Sequence, residues 1–108
     1  MRYDLESADH AAVRHILTSP TIAGRTADYI GDDDFDWAGL LVEQQTMSGG
    51  ERLLVLSAYD LWEAKGVVGV SDLSRRLDRH HFERVIDAMR ISRGELPVRT
   101  AAPLRDAA

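Results

Sequence analysis

The chain has 108 residues, 44% of them apolar, with 18 acidic against 13 basic side chains and a net charge of −5. That suits one domain with a core of its own and is too apolar for a disordered chain. The lack of cysteine excludes disulfide frameworks, thiolate zinc sites and thiol catalysis, and no apolar run reaches membrane-spanning length.

Arg2-Tyr3-Asp4 leads into an acidic amphipathic stretch and not a secretory leader, so a cytoplasmic protein is expected. Ser7 can cap a helix over residues 8–18, with Asp9 in its first turn and Val13, Ile16 and Leu17 on one face. Pro20 stops that helix. Ser19-Pro20 then has the form of a cap followed by proline at the first position of a second helix. It should reach Ile30, bury Ile22, Tyr29 and Ile30, and close at Gly31. After the acidic turn Asp32-Asp33-Asp34, a short third helix turns Trp37, Leu40 and Leu41 inward and ends near Gln45.

The fourth helix is the expected centre of the fold. Ser48 and Glu51 form a capping box, and Met47 can staple onto the first turn. Leu53, Leu54, Val55, Leu56, Tyr59, Leu61 and Trp62 cover more than half of the circumference, which requires packing on two sides. Gly66 ends it. Val67-Val68-Gly69-Val70 predicts a short strand, and Leu96-Pro97-Val98-Arg99-Thr100 a second one beside it. Between them, Ser71 should cap a short helix carrying Leu73 and Leu77. Asp78 should cap a last helix with Phe82, Val85, Ile86 and Met89 at i, i+3, i+4 and i+7. The expected fold is all-α, one compact domain of five to six helices over residues 1–108. It comprises an acidic helical half (1–45), a central helix with a helix-turn-helix-like half carrying at most half a wing (46–94), and a tail (95–108).

Charge divides along the chain. Residues 1–45 hold nine acids and three arginines, whereas residues 46–94 hold seven acids and eight basic residues. No catalytic constellation accompanies this asymmetry. His10 and His15 are off one helical face, His80 and His81 point apart, and no G-x-S-x-G occurs. No enzyme, cofactor or metal is expected. The sequence predicts a non-enzymatic protein-binding module, such as an adaptor, an inhibitor or a small phage-type accessory protein. Its partner would be another protein or a second copy of itself, and not a membrane. The expected contact residues are Asp32, Asp33 and Asp34 on one side and Arg75, Arg76, Arg79 and Arg84 on the other. Ile91 and Val55, off the main apolar stripes, would add an apolar contact. The alternative is a DNA-binding regulator using residues 71–93, with His80, Arg84, Asp87, Ala88 and Ile91 facing outward. Asp87 would then meet phosphates with the wrong sign, so binding should be weak and salt-sensitive.

Two motifs invite sharper chemistry. Met47-Ser48-Gly49-Gly50-Glu51 resembles the signature motif of ABC-type ATPases, over these five residues only. In that family the serine and the glycine amides contact a nucleotide γ-phosphate at a helix N-terminus. The chain has no G-x-x-x-x-G-K-[ST] loop, and its one lysine lies in Ala64-Lys65-Gly66. It therefore does not bind and hydrolyse ATP in that family's manner, and a capping box accounts for all five positions. Asp32, Asp34, Asp36 and Glu43 fall at positions 1, 3, 5 and 12 of an EF-hand-like frame. Trp37 stands where the turn glycine belongs, and Gly39 where an apolar residue packs. An acidic turn whose last aspartate caps the third helix accounts for the same residues.

Overall fold

The computed structural model describes residues 5–95, with side chains from residue 8 onward. Six α-helices follow in order: α1 Leu5–Leu17, α2 Ala23–Thr26, α3 Trp37–Glu43, α4 Gly49–Glu63, α5 Val70–Arg76 and α6 Arg79–Ser92. Single 3-10 turns, Ala27–Tyr29 and Gln44–Thr46, extend α2 and α3. No strand forms among the described residues, where β-pairing is limited to one isolated bridge between Ile30 and Phe35. The all-α, compact expectation holds.

Helix α1 shares the centre with α4, because it packs against both α4 and α6. Its inward face is Ala8, Ala12, Val13, Ile16 and Leu17, all buried, and the two alanines let neighbouring helices approach closely. The helix already includes Leu5, so Ser7 lies within it and not at its cap. Its far end is closed by returning hydroxyls: Thr18 Oγ1 donates to the Arg14 carbonyl (2.8 Å) and Ser19 Oγ to that of Ile16 (2.6 Å). Ser19 is thereby buried closing α1, and the second helix expected from Pro20 shrinks to the single turn of α2. Buried Thr26 ties α2 back by donating to the Leu17 carbonyl at 2.6 Å.

The capping box of α4 is formed: the Ser48 amide donates to Glu51 Oε1 (3.2 Å) and the Glu51 amide to Ser48 Oγ (3.4 Å). Leu53, Leu54, Val55 and Ala58 are buried, so Val55 belongs to the core and offers no contact surface. The helix ends earlier than Gly66, at Ala64, which adopts the left-handed conformation (φ 56°). The Asp60 carboxylate then accepts from the amides of Gly66 (2.6 Å) and Val68 (2.9 Å). These bonds hold a loop where the β-branched run predicted a strand. Val70 enters α5 directly, with Gly69 and not Ser71 at the cap position. The second predicted strand, residues 96–100, lies outside the described residues.

Helix α6 is capped by Asp78, whose Oδ1 accepts from the His81 amide at 2.9 Å. Its buried stripe is Val85, Ala88 and Ile91 with Asp87, while Met89 is 44% exposed. Of the expected stripe Phe82, Val85, Ile86 and Met89, Val85 is buried and Phe82 packs against the core, but the centre of the inward face is turned by roughly a third of a circle towards Ala88 and Ile91. On that side the Arg84 guanidinium reaches across to α1 and donates to the carbonyls of His15 (2.8 Å) and Thr18 (3.2 Å), beside the buried Ala88 and Ile91. With Thr21 meeting His81 farther along, α1 and α6 run antiparallel.

Candidate functional site

Two charged clusters occupy the two ends of α4. At its carboxyl end, Phe35 inserts between His10 (ring centroids 4.5 Å apart), Trp62 (5.1 Å) and Trp37 (5.4 Å). That anchor fixes a tight turn. The Gly31 amide donates to the Asp34 carbonyl (2.8 Å), the Asp36 amide to that of Tyr29 (2.9 Å), and His10 Nε2 contacts the Gly31 carbonyl at 2.8 Å. The turn leaves Asp32, Asp33 and Asp34 exposed side by side. Asp36 is the α3 cap, accepting from the Gly39 amide at 3.0 Å. No group of three acidic or histidine side chains among the described residues is arranged to hold a metal ion.

At the amino end of α4, the Ser48-Gly49-Gly50-Glu51 start meets the junction between α5 and α6. A methyl group placed on Gly49 would lie 3.8 Å from Arg76 Nη2, and one on Gly50 would lie 3.9 Å from His81 Nδ1. Around this meeting point stand Arg75, Arg76, Arg79 and His80, all exposed. Arg76 leans on Asp72 (3.7 Å) and Arg79 on Glu83 (3.5 Å), both one helical turn away and both in solvent, where such pairs hold a side chain only loosely. Asp78 sits among them with its carboxyl held below the ordinary range. The His81 amide hydrogen bond is the main cause, reinforced by the charges of His81 and His80. Thr21 Oγ1 contacts His81 Nε2 at 2.9 Å, and a recess of about 410 Å³ opens between that loop and His80, His81, Glu83 and Arg84.

Of the residues singled out in the sequence, Asp32, Asp33 and Asp34 come together on one exposed turn, and Arg75, Arg76 and Arg79 on one exposed junction. Two do not join them. Arg84 is half-buried and engaged with the end of α1, and Ile91 is only 2% exposed. Ala88, also expected to face outward, is fully buried, and Asp87 is 9% exposed. No family of proteins, no curated protein and no solved structure matches the chain. Its chemistry has to speak through its own residues. The sequence held no sign that the glycines at 49 and 50 approach Arg76 and His81, some thirty residues later. From Gly49 to Trp62 the helix rises roughly 20 Å at 1.5 Å per residue. No helix among the described residues is long and apolar enough to cross a membrane.

Proposed function

We propose that this chain is a non-enzymatic protein-binding module that engages a partner protein, or a second copy of itself, through the two charged ends of α4. One observation carries this reading. Asp32, Asp33 and Asp34 at one end and Arg75, Arg76 and Arg79 at the other are all exposed, on backbone held by caps and turns. The helix between them rises roughly 20 Å, more than a Debye length at physiological salt, so neither cluster neutralises the other within one molecule. Opposite charges displayed this way steer encounter and fix the orientation of a partner. Between copies they would pair head to tail.

Light scattering behind a sizing column, at low and at physiological salt, tests the self-association arm. Association should weaken with salt, vanish in Asp32→Arg/Asp34→Arg and in Arg75→Glu/Arg76→Glu, and return when the two variants are mixed. For a foreign partner, affinity capture from a lysate is run with the same three proteins. The retained set should lose members in one charge variant; identical sets from all three, together with a strict monomer, reject the proposal.

The second reading is a helix-turn-helix DNA-binding regulator. It is favoured by the two-residue connection Leu77-Asp78 between α5 and α6, and by exposed Arg79, Arg90 and Arg93 along one strip of α6. The burial of Asp87 removes the like-charge conflict with phosphates. Retention on random duplex at low salt that Arg90→Ala/Arg93→Ala abolishes would select this reading over the first.

A further inference from the structure

A recess of about 360 Å³ runs between α1, α4, α5 and α6, beside the carboxyl end of α4. Ile16, Leu61, Val68, Leu73, Val85 and Met89 form its apolar wall. It reaches the core, since Ile16 is fully buried and Val85 is 3% exposed, while Met89 is 44% exposed and marks the solvent side. Native interiors hold few voids larger than a water molecule, whereas pockets for small molecules begin near 300 Å³. This opening falls in the second range.

We propose that the recess binds a neutral, medium-length aliphatic molecule carrying one hydrogen-bonding group, a hydroxyl or a carbonyl. Four features of the wall set that chemistry. No aromatic ring lines it, so a flat aromatic ligand finds nothing to stack on, whereas an aliphatic chain meets branched aliphatic side chains throughout. No cation lines it, and the carboxylate present, Asp60, is committed to the Gly66 and Val68 amides, so an anionic head group is disfavoured. Ser57 lines the recess, is 7% exposed, and its hydroxyl has no hydrogen-bond partner among the described residues. A buried hydroxyl left without a partner is uncommon in folded proteins, and a rotation about χ1 that turns it to the recess would let a ligand oxygen satisfy it. At about 30 Å³ per water-sized unit, the volume admits on the order of ten non-hydrogen atoms, the size of an eight-carbon alcohol.

The test is a methyl NMR titration of the full chain with 1-octanol, with octanoate as the charged counterpart. Octanol should shift the methyls of Ile16, Leu61, Val68, Leu73, Val85 and Met89 saturably and leave those of exposed Val42 unmoved. Octanoate should bind at least about tenfold more weakly. Ser57→Ala removes only the hydroxyl and should weaken octanol about fivefold. Met89→Trp, at a position already half in solvent, should block entry and abolish the shifts. Shifts that fail to saturate or spread over the whole surface overturn the proposal. So does octanoate binding as tightly as octanol, or a Ser57→Ala protein that binds octanol like the parent.

Discussion

Replacing Gly39 by alanine should destabilise the protein although it improves the helix. A Cβ at this position would lie 2.6 Å from Cδ1 of Tyr29, nearer still to its Cε1, and 2.9 Å from Asp36 Oδ2. Carbon atoms prefer about 3.5–4.0 Å, so the tyrosine ring would have to retreat by about 1 Å. It is poorly placed to do so. Its hydroxyl donates to Glu43 Oε1 (3.3 Å) and its carbonyl accepts from the Asp36 amide (2.9 Å). Forcing such a contact costs about 1–3 kcal/mol, and the gain of alanine over glycine in a helix is at most about 1 kcal/mol. The net loss is about 1 kcal/mol, or about 4 °C in Tm for a chain of this size. Gly24 is the internal control: it lies in α2 with no atom within 4 Å of its would-be Cβ, so Gly24→Ala should gain about 0.5 kcal/mol. Urea unfolding followed through Trp37 and Trp62 fluorescence reads both. In a Tyr29→Ala background, the Gly39→Ala change should turn stabilising. A Gly39→Ala protein at least as stable as Gly24→Ala would refute the packing of Tyr29 on α3.

Ser48→Ala removes the hydroxyl of the α4 capping box and should cost about 1 kcal/mol by the same urea assay, with an unchanged midpoint meaning that the cap contributes nothing. Arg84→Met keeps the aliphatic stem but frees the carbonyls of His15 and Thr18, and should cost about 1–2 kcal/mol, much of it retained in high salt because the contact is part-buried. For Asp60, burial raises the carboxyl's pKa, but the Val68 and Gly66 amides, with those of Val67 and Lys65, together lower it further, so the folded value lies below the unfolded one. Its contribution is therefore complete above the ordinary carboxylate range near pH 4 and is lost as pH falls through the depressed folded value. Unfolding midpoints of wild type and Asp60→Asn should differ at pH 6 and converge towards pH 2; a difference that grows in acid would reverse the assigned sign. Asp78 follows the same sign, so Asp78→Asn should also lose its effect below about pH 4.

The elements that declared themselves in the sequence did so through local chemistry. The Ser48–Glu51 box, the Asp36 cap and the Asp78 cap each depend on three or four adjacent residues, and each forms as their spacing dictates. The acidic turn is equally local. Features decided by distant partners were misplaced. The face of α6 that turns inward includes Arg84 bonded to α1 nearly seventy residues earlier, a contact that hydrophobic periodicity alone cannot register. Ser19 has the form of a helix start, yet its hydroxyl returns to the helix before it, and residues 67–70 have strand-like side chains, but the Val68 amide is claimed by Asp60 and that of Gly69 by Asp72. For the candidate site, the charged residues were legible as composition, whereas their placement at opposite ends of α4 was not. The recess was invisible because its wall is drawn from four helices and a loop.

The antiparallel seal between α1 and α6 has a consequence for biosynthesis. Helix α1 packs against both α4 and α6, and α6 begins only at Arg79, so one of its two partners is missing until that segment has been made. A nascent chain halted before that point presents the apolar face of α1 only partly covered, in the state that chaperones and proteases recognise. A stop upstream of α6 would thus leave this face open and yield a degradation substrate in place of a shortened fold.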